Sequence, residues 1–202
     1  MSLADLKSQL PDYAKDLRLN LESVLTAGGA PGLTQKQIVV IALASAIASR
    51  YKPLTAAVNE LAAQHASEDE LKGARVAASI MGMNNIYYRF IHLVGDAEYG
   101  TLRAGLRMNA MANPGGDKVD FELASLAVSA VNGCGMCLES HEKTLRKHGL
   151  SAQPIQSAAR IAAVIHAVAV ALEQLAKNPV PTYPRPAYPN YHQKLPTEAA
   201  AP

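Results

Sequence analysis

Apolar residues along this chain recur with a period near 3.6, and no segment sustains the period-two alternation of β-branched residues that marks a strand. The pattern predicts eight or nine helices, over about 12–25, 34–50, 54–66, 68–82, 83–93, 99–112, 118–131, 134–148 and 152–177. Local signals punctuate them. Thr34-x-x-Gln37 and Ser67-x-x-Glu70 have the form of capping boxes. Gly149 after Lys147-His148 reads as a helix stop, and Ser151 as the cap of the next helix. Asn132-Gly133 interrupts an apolar helix just before Cys134. The expected fold class is all-α.

A repeat lies within this pattern. Ala74-Arg75-Val76-Ala77-Ala78-Ser79-Ile80 matches Ala159-Arg160-Ile161-Ala162-Ala163-Val164-Ile165 at five of seven positions, at an offset of 85. Leu43-Ala44 falls on Leu126-Ala127 and His65 on His148, at an offset of 83. A two-residue insertion reconciles the offsets. The expectation is one helical domain, 1–177, of two pseudo-repeated halves, about 34–95 and 118–177. Tyr51 and Leu54 then occupy the places of Cys134 and Cys137. Residues 178–202 differ: they hold seven prolines and three tyrosines, and read as an extended tail.

Composition narrows the function classes. Of 202 residues, 49% are hydrophobic, enough to bury a core without staples, and a net charge of +2 gives no reason to expect nucleic acid or an anionic membrane. The apolar runs Ile38–Ser49 and Ile161–Leu172 are shorter than the ~20 residues of a membrane span, and the N-terminus does not read as a signal peptide. A cytoplasmic protein is expected. Two cysteines three residues apart, in a reducing compartment, point to redox chemistry or metal binding.

The chemistry concentrates between Glu122 and His141. The C-x-x-C spacing puts the sulfurs of Cys134 and Cys137 one helical turn apart, close enough to bond. If Asn132-Gly133 ends a helix, Cys134 opens the next, where free N–H groups and the helix dipole stabilise a thiolate. Cys134, Cys137, Leu138, His141, Leu145 and His148 share one helix face. His141, one turn beyond Cys137, can take its proton. Glu122 lies in a helix apolar almost all round, so its carboxylate needs a buried partner, and beside His141 it would orient the imidazole. The dipole favours Cys134 as the activated thiol and His141 favours Cys137. His92, His148 and His166 read as structural, and Met81, Met83, Met108 and Met111 as core filler. A zinc site would have only His141 and Glu122 to complete it.

Glu122, eleven residues, Cys134-x-x-Cys137, three residues and His141 form a pattern that resembles the AhpD family of alkyl hydroperoxidases, within the carboxymuconolactone decarboxylase-like superfamily. The flanks Leu10-Pro11-Asp12-Tyr13-Ala14-Lys15-Asp16, Tyr87-Tyr88-Arg89-Phe90 and Ser140-His141-Glu142-Lys143-Thr144-Leu145-Arg146 resemble it too. The likeness covers about 1–177. It implies an all-helical, internally duplicated fold assembled as a homotrimer. It implies that Cys137 becomes a sulfenic acid, that Cys134 closes the disulfide, and that Glu122 and His141 relay protons. It implies no tightly bound cofactor. Electrons would come from dihydrolipoamide on a lipoylated acyltransferase, reduced by dihydrolipoamide dehydrogenase, and pass to a peroxiredoxin, AhpC. Some members carry His before the second cysteine; here it is Met136, which carries no proton. The alternatives are a non-redox decarboxylase of the same superfamily and a metal-binding adaptor.

Overall fold

The computed structural model describes residues 1–175. Helices α1 (Leu3–Gln9), α2 (Lys15–Val24), α3 (Gln35–Ala48), α4 (Lys52–Ala62), α5 (Glu68–Val94), α6 (Ala97–Thr101), α7 (Lys118–Asn132), α8 (Gly135–Lys147) and α9 (Ala152–Glu173) follow in order, with 3-10 turns at Asp12–Ala14 and Asn109–Ala112. Among the described residues there is no strand. The fold is all-α, as the periodicity implies. The Pro/Tyr-rich tail lies outside the described residues.

The core forms where helices that are apolar on every side meet. From Ile38 to Ala46 every residue of α3 is buried, and from Asp120 to Ser129 every residue of α7 is. Helices of that composition sit at the centre of a bundle. They pack on each other and against α5 and α9. Small residues such as Ala42, Ala44, Ala124 and Ala127 face neighbours with no exposed surface, so the helices approach closely. Ser45, buried in α3, is satisfied by bonding Ile41 O at 2.7 Å.

Both predicted capping boxes form, at Thr34 and Ser67. The positions of the helix starts also repeat along the chain: Thr34, Tyr51 and Ser67 precede α3, α4 and α5, and Asp117, Cys134 and Ser151 precede α7, α8 and α9, although Tyr51 and Ser151 make no side-chain capping bond.

Four expectations are corrected. The predicted helices 68–82 and 83–93 are one 27-residue helix, α5. Gly82 and the two asparagines that follow are weak helix formers, and packing against α7 overrides them. The predicted helix 99–112 is absent: α6 covers five residues, Gly105 turns with φ +65°, and only a short 3-10 turn follows. An N-terminal helix, α1, forms where the pattern predicts none; its Ser2–Asp5 capping box uses Asp in place of Glu. Finally, α9 is by length and composition apolar enough to cross a membrane, with mean hydropathy 1.7 over its best window. Over half of that window, 56%, is buried inside the protein, so its apolarity is that of a core helix.

Candidate functional site

Helix α7 delivers the site. Asp117 caps it by accepting from Val119 N and Asp120 N, and Gly133 ends it in the left-handed conformation, φ +68°. A side chain there would be strained, so glycine is what the stop requires. The chain then turns straight into α8, whose N-cap is Cys134. Its sulfur accepts from Cys137 N at 3.3 Å. Cys134 and Cys137 are disulfide-bonded, with Cα atoms 5.3 Å apart. The pair therefore sits where the free N–H groups of a helix start stabilise negative charge on sulfur.

Glu122 and His141 meet. His141 Nδ1 lies 2.7 Å from Glu122 Oε2, and both side chains are buried. A carboxylate only accepts, so Nδ1 donates and Nε2 is left as the free nitrogen of the ring. Nε2 is 3.3 Å from Met81 Sδ. A thioether is itself a weak acceptor, so it leaves the Nε2 lone pair unused.

A cavity of about 330 Å³ opens on this arrangement, lined by Cys137, His141, Met136 and Ser140 from α8, by Met81, Asn84 and Tyr88 from α5, and by Met108 and Met111. The two sulfurs differ in access: Cys134 is 0% exposed and is not part of the lining, whereas Cys137 is 6% exposed and is. A polar seam between α5 and α7 holds the end of α7 in place. Asn85 Nδ2 donates to Ser129 Oγ and Asn132 Nδ2 to Asn85 Oδ1, each at 2.9 Å. Arg89 Nη1 donates to Asn132 O at 2.6 Å, beside the turn into the cysteines.

Over 176 residues the chain is 52% identical to the alkyl hydroperoxide reductase AhpD of Bradyrhizobium sp., covering 87% of this chain and 96% of the relative. The AhpD proteins of Rhodospirillum centenum and Streptomyces coelicolor are each 54% identical over 173 residues, which is 86% of this chain and 91% and 96% of theirs. The chain belongs to the AhpD family. The model of the carboxymuconolactone decarboxylase family also matches, over residues 97–177, the part that carries both cysteines.

In this AhpD-family chain, the face expected from Cys134 to His148 is buried at Cys134, Cys137, His141 and Leu145 but ends early. His148 is the C-cap of α8 and is exposed. Met81 is more than filler, since it touches His141. Asn84 and Tyr88 join the lining without being expected there. Their signal is the spacing Met81, Asn84, Tyr88 at i, i+3 and i+7, one stripe of a helix. That stripe is visible only if α5 is continuous.

Proposed function

We propose that the chain is an alkyl hydroperoxide reductase in which the Cys134–Cys137 dithiol reduces the peroxide inside this cavity. The observation that carries the reading is that Cys137, and not Cys134, shares an apolar cavity with a histidine oriented by a buried carboxylate. The name shared by the relatives supports it.

In the reduced protein, His141 Nε2 takes the proton of the Cys137 thiol. The thiolate attacks the terminal oxygen of the hydroperoxide. An S–O bond forms, the O–O bond breaks, and the alkoxide leaves as alcohol with the proton from His141. The Cys134 thiol then attacks the Cys137 sulfenic acid, the S–S bond forms and water departs. Two electrons have moved from the dithiol to the peroxide. A dithiol donor restores the pair by exchange at the accessible sulfur, Cys137. The departing Cys134 thiolate is stabilised at the N-cap of α8.

Dihydrolipoamide is the proposed donor. It would be carried by a lipoylated acyltransferase and dihydrolipoamide dehydrogenase, with the peroxiredoxin AhpC as the proposed acceptor of electrons; the family resemblance supports these partners. A homotrimer is proposed too. An exposed apolar stripe of Ile86, Phe90, Leu93 and Val94 along α5, with Leu102 nearby in the chain, gives subunits a surface to bury. The matching spacing of helix starts in α3–α5 and α7–α9 supports the proposed duplication of halves in a 1–177 domain. A cytoplasmic location follows from the need to keep the pair reducible.

The test is steady-state oxidation of dihydrolipoamide by cumene hydroperoxide. Wild type turns over, and Cys134→Ser and Cys137→Ser do not. Full activity in either variant contradicts the dithiol cycle.

A further inference from the structure

Asn84 and Asn85 are neighbours on α5, both buried, and they use their amides differently. Asn85 donates to Ser129 and accepts from Asn132, so it belongs to the seam that holds α7. Asn84 is 5% exposed and lines the cavity beside Cys137 and His141. Its Oδ1 has no hydrogen-bond partner among the described residues. Among the described residues its Nδ2 has only the sulfur of Met111, at 3.9 Å. A buried amide oxygen left unpaired costs free energy and is uncommon in folded proteins. An unpaired acceptor in a cavity that is otherwise largely apolar is complementary to a ligand with one hydroxyl donor and an apolar body.

We propose that Asn84 is the polar anchor of this cavity, accepting the O–H of an alkyl hydroperoxide at Oδ1 while Met81, Met108, Met111 and Met136 take its alkyl group. This rests on the peroxidase reading above and adds a substrate-positioning residue to it. The hydrogen of a hydroperoxide sits on its terminal oxygen, the atom that Cys137 attacks. An acceptor at Asn84 therefore fixes the reacting oxygen and not merely the molecule. Methionine side chains are flexible and polarizable, so they accommodate alkyl groups of different shape. Among the described residues the lining holds no Lys or Arg to pair a carboxylate. Uncharged alkyl and aralkyl hydroperoxides are thus the preferred class.

Asn84→Leu keeps the volume and removes the acceptor. Its kcat/KM for cumene hydroperoxide is expected to fall about tenfold or more, mainly through KM, because a polar contact to the substrate is lost. Two readouts separate this from a structural role. Thermal stability is unchanged or raised, since an unpaired buried amide is gone. The rate at which iodoacetamide alkylates reduced Cys137 is unchanged. A further measurement needs no variant: 2-phenyl-2-propanol, which has the hydroxyl, protects reduced Cys137 from alkylation in wild type, and isopropylbenzene, which lacks it, protects about tenfold more weakly. Equal protection by the two compounds in wild type overturns the anchor, as does an Asn84→Leu enzyme within twofold of wild-type kcat/KM. If wild type reduces no hydroperoxide but prefers the alcohol, and Asn84→Leu abolishes that preference, the anchor stands and the peroxidase reading falls.

Discussion

His141 and Glu122 stand on different helices, 19 residues apart in the chain, and their side chains meet at 2.7 Å in the interior. Their contact fixes which ring nitrogen faces the cavity. Glu122→Gln preserves an acceptor for Nδ1 and removes the charge that stabilises an imidazolium. The expected result is a fall in hydroperoxide kcat of about 100-fold, the lower end of what a positioned acid–base group contributes. The disulfide still forms with a chemical oxidant. Stopped-flow turnover beside a thiol count checks both halves of this outcome.

The difference in burial between the two sulfurs predicts an order of modification. In the reduced protein, iodoacetamide labels Cys137 well before Cys134, because only Cys137 reaches the cavity. Peptide mapping at partial labelling reads the order directly. Labelling of Cys134 first would mean that the helix start, and not the cavity, governs reactivity.

Backbone conformation predicts opposite effects at two turns. Gly133 and Arg50 both adopt left-handed φ, +68° and +64°, at the turns into α8 and α4. Gly133→Ala is expected to lower stability by about 1 kcal/mol, the lower end of the left-handed penalty for a residue with a Cβ. Arg50→Gly relieves the same strain but loosens the unfolded chain, for a net gain of up to about 1 kcal/mol. Urea midpoints at constant slope measure both.

The face of α3 near its start carries a pH-sensitive contact. Lys36 Nζ lies 2.9 Å from both Glu70 Oε1 and Asp120 Oδ2. The Lys36 ammonium, then the Ser67 backbone N–H, hold the Glu70 carboxyl below its ordinary value. Hydrogen bonds to Asp120 and then Glu70 hold Lys36 above its own. A depressed carboxyl stabilises the fold above its unfolded value and loses that contribution as pH falls through the folded one. A raised lysine contributes fully at neutral pH and loses its contribution only in alkali. Lys36→Met is therefore expected to cost about 1 kcal/mol at neutral pH, a modest figure because Lys36 is partly exposed. The gap from wild type should close as pH falls through the carboxylate range. A gap that widens in acid would contradict this linkage.

What the sequence made legible is the part written in local periodicity. The faces of α7 and α8, the break at Asn132-Gly133 and the burial of Glu122 all follow from residue type and spacing. Residue type and spacing put Glu122 and His141 each on a buried face, but that the two meet comes only from the packing of α7 on α8. The α5 side of the cavity was not legible either. Asn84 and Tyr88 look unremarkable beside Gly82, whose weak helix propensity hides the continuity of α5. Met108 and Met111 enter the lining from a largely irregular segment, and only tertiary packing places them there.

The central claim is that Cys137 is the sulfur that meets the peroxide. Its most direct test is to treat reduced Cys134→Ser with one equivalent of cumene hydroperoxide in the presence of dimedone and locate the adduct by mass spectrometry. Without Cys134 the sulfenic acid cannot close to the disulfide, so the account predicts a stoichiometric adduct on Cys137 and none in Cys137→Ser. An adduct on Cys134 in Cys137→Ser, with none on Cys137 in the other variant, would contradict it.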